Sequence, residues 1–499
     1  MAQNFLATHG IDLEAELDKI QQFNNPSPPL NPEDLPGYTP EPGHRYSTMA
    51  GSAGNISDHP LGLISNVSLH QPSPNNDTTT LDIQLSGKTI SQIHPHDPNR
   101  LPPPNTHSIS GNSALLAPPF CHPHIHLDKA FLLSHPRYAH LQPQKGDFAE
   151  AMSLTGSAKS NFEHQDLLER GQRVIDESVE AGVTHMRAFV ELDAGVGTKC
   201  LDAGLELKKR AEGRCEVQIC AFAQLPLFTA TDSDPDGAII RELMTSTSQH
   251  PSVGALGFTP YVEDSVDKQR QTIDWAIHLV IESRKHLDFH MDYTLDPTSE
   301  PQTPHLISRL HALHWSTSNP GKTIVLGHCT RLSLFSASQW TSLREQIGDL
   351  PLHFVGLPTS DLFMMRTPER TRGTLPVPSL IKDYGLNACM GINNIGNAFT
   401  PHGSCDPLSL ACWGVGVYSA GTQADAELLY EAVSTRAREA IGFDGGEGSE
   451  VKKGSEADFV LFAADEREGW RTRRSVSEVV WFYDRCKGRR GVLGGKLVS

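Results

Sequence analysis

His124 and His126 stand two residues apart in the run Pro118-Pro119-Phe120-Cys121-His122-Pro123-His124-Ile125-His126-Leu127-Asp128-Lys129. In extended backbone, side chains two apart share a face, so both imidazoles can reach one cation. Such a pair is weak evidence alone, because the chain has 24 histidines and surface pairs arise by chance. Two more short apolar runs also end near histidine, however: Asp288-Phe289-His290-Met291-Asp292 and Leu326-Gly327-His328-Cys329. Histidines closing three apolar strands point to a site that holds a divalent ion. The chemistry open to such a site is activation of water near neutral pH. The plainer alternative, a strand-end histidine that only satisfies backbone groups, applies most to His328.

The elements that must position these rings alternate in kind. Candidate strands are Leu115–Cys121, Thr184–Leu192, Val217–Ala223, Val253–Gly257, Leu287–Asp292, Thr323–His328, His353–Leu357 and Asn387–Ile392. Each is short and apolar, as strands buried on both faces must be. Helical periodicity fills the gaps, with Ile273, Ala276, Ile277, Val280 and Ile281 marking one helix. Leu167, Leu168, Val174, Ile175 and Val179 mark another. Eight strands alternating with helices predict a closed (β/α)8 TIM-type barrel over 118–445. An open doubly wound sheet is disfavoured because no glycine-rich phosphate loop follows the first strand.

Short strands flank that region at both ends: Leu63–Leu69, Leu81–Leu85 and Thr89–Ile93 before it, Asp458–Phe462, Glu478–Phe482 and Gly491–Val498 after it. They predict a small β-sandwich domain assembled from residues 61–117 and 446–499. Residues 1–60 are rich in Pro, Gly, Asn and Ser and are expected to be a flexible tail. A short amphipathic helix over Ile11–Phe23 is the exception.

The chain has 499 residues, 38% hydrophobic and 20% charged, the composition of an ordinary globular enzyme-sized protein. A formal charge of −17 argues against nucleic acid or an anionic membrane as partner. No apolar run is long enough to cross a bilayer. Nine cysteines without a C-x-x-C pair, and no signal-like start, lead us to expect a reduced, cytoplasmic setting. The expected partner is a small-molecule substrate. Homo-oligomer formation is left open, since no coiled-coil or repeat pattern bears on it.

From about Leu61 to Ser499 the sequence resembles the amidohydrolase superfamily, most closely its cytosine deaminase-like branch. The resemblance is carried by the Pro-Pro-Phe…Pro-His-Ile-His-Leu-Asp stretch, Ala221-Phe222-Ala223-Gln224, Phe289-His290-Met291-Asp292, Gly327-His328 and Cys389-Met390-Gly391-Ile392-Asn393-Asn394. It implies one divalent metal ion, zinc or iron, on His124, His126 and His290, with Asn393 at the position of a further ligand. It implies that His328 orients or deprotonates the attacking water and that Gln224 binds the amide edge of a ring substrate. The implied activity is hydrolysis of a non-peptide C–N bond in a small cyclic amidine or amide. No lysine closes strand four (Val253-Gly254-Ala255-Leu256-Gly257), which argues against the two-metal branch.

Two positions depart from the family. Where the family has an aspartate after strand eight, this chain has Asn393, whose amide oxygen can coordinate but cannot take a proton. Where the deaminases have a proton-shuttling glutamate after strand five, this chain has Tyr293, a phenol with an ordinary pKa near ~10. A catalytically degenerate barrel that only binds a small molecule or a protein therefore stands as the alternative. Asp292 and Asp361, at the ends of strands five and seven, are the carboxylates expected to compensate: Asp292 in catalysis, Asp361 at the substrate. Glu191 and Asp193 close strand two. Asn394 and the amide-rich loop that follows are expected to form a turn network or contact substrate. Lys129, Arg187 and Arg366 are candidates for positive charge at the mouth.

Overall fold

Eight buried apolar runs pair side by side in parallel, each with the next in the chain: β6 (Phe120–His126), β7 (Val183–Glu191), β8 (Glu216–Ala223), β9 (Val253–Phe258), β10 (His286–Met291), β11 (Ile324–His328), β12 (Leu352–Gly356) and β13 (Ala388–Met390). The computed structural model describes residues 60–69, 80–443, 451–465, 469–483 and 488–499. The expected tail and the helix over Ile11–Phe23 lie outside the described residues. Among the described residues, no helix is long and apolar enough to cross a membrane.

The barrel closes through the residues of the site. Just past β13, Asn393 forms a parallel bridge to Ile125 in β6. Its N–H donates to His124 O at 3.0 Å, and its carbonyl accepts from His126 N at 2.9 Å. Helices cover the outside, as the periodicity predicts. His164–Glu180 buries Leu167, Leu168, Val174, Ile175 and Val179, and Val266–Ser283 buries Ile273, Ala276, Ile277 and Val280. The first is started by a capping box in which Glu163 and Asp166 satisfy each other's backbone N–H.

Both ends of the chain build a second sheet, in the order β16-β15-β14-β5-β1-β2-β3 with β4 beside β1. Its strands are β1 (Leu61–Leu69), β2 (Leu81–Ser86), β3 (Thr89–Pro95), β4 (His107–Ser110), β5 (Leu115–Ala117), β14 (Phe459–Leu461), β15 (Arg490–Leu493) and β16 (Lys496–Leu497). The first half of β1 pairs with β4 and its end pairs with β5. A bulge near Asn66, whose φ is 52°, separates the two halves. Ile64, Val67, Ile83, Leu116, Phe459 and Val492 pack into one core between them.

Three expected strands come out differently. Leu115–Cys121 is not one strand, because Pro118-Pro119 lacks the N–H groups a ladder needs; β5 ends before it and β6 starts after it. Glu478–Phe482 is not a strand but part of the helix Val476–Trp481. Ser475 and Glu478 form its capping box, and Val476, Val479 and Val480 fall on one helical face. Gly491–Val498 is a hairpin, β15 turning into β16 at Gly494 and Gly495, whose φ values are 54° and 72°.

Arg187 does not reach the mouth. It is fully buried inside the barrel, with Nε donating to Gln218 Oε1 at 2.7 Å and Nη1 to Asp288 Oδ2 at 2.8 Å. Burial pushes the Asp288 carboxyl up, with the Arg187 charge pulling it back down. Asp288→Ala would strand a buried guanidinium, so we expect a loss of about 3–5 kcal/mol in urea unfolding. A loss under about 1 kcal/mol would show that the pair contributes nothing to folding.

Candidate metal centre and its cavity

A bulge in β6 aims the ligands. The register shifts between His122 and Ile125, so the strict alternation of faces breaks there. His122 turns outward to Ser178 Oγ at 3.0 Å, while His124 and His126 turn inward. From β10, where Asp288 lies one step deeper, His290 reaches the same point. Its Nε2 stands 3.0 Å from His124 Nε2 and 3.2 Å from His126 Nε2. A tetrahedral ion with bonds of about 2.1 Å would set its ligand nitrogens about 3.4 Å apart, close to these separations. Among the described residues this trio is the one histidine, cysteine and carboxylate cluster with metal-binding spacing.

The surroundings keep the three rings uncharged. Phe189 packs against His124 and His126 with centroids 4.1 and 4.9 Å away, and Phe222 stacks on His290 at 4.4 Å. Burial holds all three imidazoles well below the usual histidine range, with neighbouring positive groups adding to the effect. They are therefore neutral, the form that binds metal. The Asn393 side chain lies against His124, yet its Oδ1 is buried without a hydrogen-bond partner. That places a buried amide oxygen beside three convergent nitrogens, a donor set whose chemistry fits a divalent ion.

His328 completes the rim from the end of β11. Its Nδ1–H donates to Asp361 Oδ1 at 2.7 Å, and its ring lies on Tyr293 with centroids 3.9 Å apart. Asp361 is fully buried and also accepts from Thr374 Oγ1 at 2.7 Å and Leu357 N at 3.3 Å. Burial pushes its carboxyl up, and the His328 bond pulls it back. Asp292, His328, Cys329 and Asn393 all hold left-handed backbone, with φ between 46° and 67°. Such conformations cost energy and aim side chains where a strand would not.

Several expected residues stand elsewhere. Asp361 does not line the cavity; it stands behind His328, held there by its three bonds. Asp292 does not face the metal centre. Its oxygens accept from Gln302 N, Thr303 N and Thr303 Oγ1, capping the helix Thr303–Ala312. Burial keeps the Tyr293 hydroxyl far above the ordinary phenol range, so it stays a neutral phenol that can donate and accept hydrogen bonds. Arg366 is exposed.

The trio opens onto a cleft whose lining includes Lys129, Gln224, Tyr293, His328, Asn393 and Asn394. Aromatic rings of Phe148, Tyr261 and Phe399, from segments far apart in the chain, add to the wall. No spacing rule ties those rings to the histidines, which is why sequence reasoning passes over them. Lys129 is not a solvated mouth residue. It is 2% exposed, and its Nζ donates to Gln224 Oε1 at 2.8 Å and meets Glu191 Oε2 at 3.2 Å. Glu191 also accepts from Lys159 Nζ at 2.5 Å, and Asp193 pairs with the same lysine. In the loop after Asn393, Asn397 Nδ2 donates to Asn394 Oδ1 at 2.8 Å, and its Oδ1 accepts from Phe399 N and Thr400 N. That loop is a turn network, with Asn394 alone of its amides on the cleft.

The described chain is thus a parallel barrel with convergent histidines at its strand ends and a second sheet built from segments before and after it. No family model matches the chain. It is 24% identical over 362 residues to the N-isopropylammelide isopropyl amidohydrolase of Pseudomonas sp. (strain ADP), covering 71% of this chain and 81% of the relative. Two solved structures agree in fold. The 5-methylcytosine deaminase of Klebsiella pneumoniae liganded with 5-fluorocytosine has a TM-score of 0.72 at 19% identity, covering 88% of this chain and 97% of its own. The N-isopropylammelide isopropylaminohydrolase of Burkholderia multivorans has a TM-score of 0.67 at 20% identity, covering 87% and 97%. The chain thus shares the fold of both solved structures over most of its length and is similar in sequence to the Pseudomonas enzyme.

Proposed function

We propose that this protein is a metal-dependent hydrolase of a non-peptide C–N bond at an sp² carbon of a small, planar substrate. The observation that carries the reading is the convergence of His124, His126 and His290 Nε2 beside the unpaired Asn393 oxygen. One divalent ion, zinc or iron, suits this set, since imidazole is a good ligand for both. The chemistry supplied at such a centre is Lewis-acid activation of water toward neutral pH.

The chain's own residues divide the remaining work. Because Asp361 accepts from Nδ1–H, His328 presents a bare Nε2 to the cleft, and that atom takes the proton from water. The imidazolium so formed returns that proton to the leaving nitrogen as the C–N bond breaks. Phe148, Tyr261 and Phe399 exclude water and suit a flat ring or an alkyl group on the leaving nitrogen. One residue thus replaces the usual pair of proton carriers.

The test is metal analysis of untagged protein purified without chelators, joined to a turnover screen over aminopyrimidines, aminotriazines and cyclic ureas. Near-stoichiometric zinc or iron with release of an amine supports the reading. Metal-loaded protein that turns over none of these classes favours the binding-only alternative.

Asn393→Asp gives a further check. A carboxylate in place of the amide puts a negative charge against the ion, so we expect zinc affinity to rise about 10- to 100-fold after its own desolvation is discounted. Competition with a chromophoric chelator measures it. Unchanged affinity would mean that residue 393 does not face the ion.

A further inference from the structure

We propose that the helix Phe148–Lys159 is a gate, which swings on its C-terminal end to carry the Phe148 ring off the cleft and admit a ligand. This goes beyond the hydrolase reading, since a ligand that is only bound must pass the same cover. The cleft is closed as it stands. On its wall His126, His290, His328, Asn393, Lys129 and Ser360 are each at most 3% exposed. Its half-buried lining residues are Phe148, Tyr261 and Phe399, so these rings form its outer layer. Phe148 sits among its neighbours, with ring centroids 6.5 Å from Tyr261, 5.8 Å from Phe399 and 6.2 Å from Tyr293. Rings in such edge contact leave no gap for a flat heterocycle. One covering element must move before the histidines can be reached.

Two of the three rings are pinned by polar contacts. Two residues past Tyr261, Glu263 accepts from Leu227 N, Phe228 N, Thr229 Oγ1 and Thr272 Oγ1, at 2.6 to 3.1 Å. Phe399 N donates to Asn397 Oδ1 at 3.0 Å, and Thr400 Oγ1 beside it meets Ser360 Oγ at 2.6 Å. The helix that carries Phe148 has no such tie. Among the described residues, no hydrogen bond from Phe148 through Ala158 reaches beyond residues 144–161. Phe148, Ala151 and Leu154 share an apolar cluster with Tyr293, Met364 and Ala398. The fully buried positions are small, Ala151, Thr155 and Ala158, and Thr155 Oγ1 has no partner. A helix held by so little apolar area opens locally while the core stays folded.

The two ends of the helix differ, and that sets the direction of the swing. At the C-terminal end Lys159 Nζ meets Glu191 Oε1 at 2.5 Å and pairs with Asp193, while Tyr138 OH donates to Asn161 O at 3.1 Å. Glu191 ends β7 and Asp193 follows it, so this end is fixed to the barrel. At the N-terminal end the backbone N–H groups of Gln144, Lys145 and Gly146 all donate to Glu150, a residue of the helix itself. That turn therefore travels with the helix, and Phe148 with it.

Thiol labelling of the full chain tests this without metal or substrate. Ser360→Cys places a reporter on the cleft wall, and N-ethylmaleimide, a flat ring, enters only when the cover lifts. Native cysteines bracket the result on the same sample, read peptide by peptide by mass spectrometry. Cys412 is half-buried, and Cys220, fully buried in β8, reports global unfolding. We expect the reporter to label faster than Cys220 and more slowly than Cys412. Adding Phe148→Ala should speed the reporter about 10- to 100-fold, as the loss of a phenyl ring's apolar contacts would, with Cys220 left behind. Thr155→Val puts a methyl in place of the unpaired hydroxyl and should slow the reporter about 3- to 10-fold. A reporter as slow as Cys220 shows a cleft that never opens locally, and one as fast as Cys412 shows a cleft without a cover. A rate that these variants do not move apart from that of Cys220 assigns the gate to another element. Each of the three overturns the inference, and each leaves the hydrolase reading untouched.

Discussion

His290→Ala is expected to abolish metal uptake and to lower kcat/KM by at least about 10³-fold, because Lewis-acid stabilisation amounts to several kcal/mol. His290 is the shared vertex of the trio, with both short nitrogen–nitrogen separations meeting at its Nε2. Removing it leaves His124 and His126, two neutral rings on one strand, which bind an ion far more weakly than three. The fold should persist, since the backbone at 290 keeps its ladder partner Gly327 and the side chain is not itself a hydrogen-bond anchor of the sheet. A chelator experiment makes the claim independent of any substrate. Metal at a thousand times its dissociation constant stabilises a folded protein by about 4 kcal/mol. EDTA should therefore lower the Tm of the unaltered protein and leave that of the variant unmoved. A variant that still carries one ion per chain, or whose Tm still falls with EDTA, would remove His290 from the metal centre.

The parts of this site that are legible in the sequence are those set by backbone periodicity. A His-x-His on a strand must put both rings on one face, and strands of a parallel barrel all end on the same rim. His124, His126, His290 and His328 follow from those two rules. The roles of Asp292 and Asp361 do not, because each depends on which way one carboxylate turns at a strand end. One turns to a helix N-terminus and the other to a histidine ring, and both choices are made by residues ten or more positions away. Lys129 is hidden for a similar reason. A lysine three residues after the second ligand reads as a solvated loop cation until Glu191 and Gln224, from two other strands, are seen to enclose it. The helix Val476–Trp481 is a different kind of miss. Its Ser475-x-x-Glu478 box was present in the sequence, and the run of valines concealed it.

Asp361→Asn isolates the proton step from metal binding. The substitution is nearly isosteric, and its outcome follows from where the donors lie. Thr374 Oγ1 and Leu357 N both donate to Oδ2, which fixes an asparagine carbonyl on that side. The NH₂ group then faces His328 Nδ1, where the carboxylate Oδ1 had accepted. Two donors cannot share that contact, so the imidazole moves its proton to Nε2 and gives up the nitrogen that must receive a proton from water. General acid–base catalysis contributes about 10²–10⁴-fold, and kcat should fall by that range. KM and metal content should hold, since Asp361 is fully buried and touches neither the cleft nor the trio. A merely structural role predicts the opposite division, with lost stability and little loss of kcat per folded molecule. A variant that folds, loads metal and keeps kcat within about threefold would show that the His328 tautomer does not limit the reaction, against the range expected of acid–base catalysis.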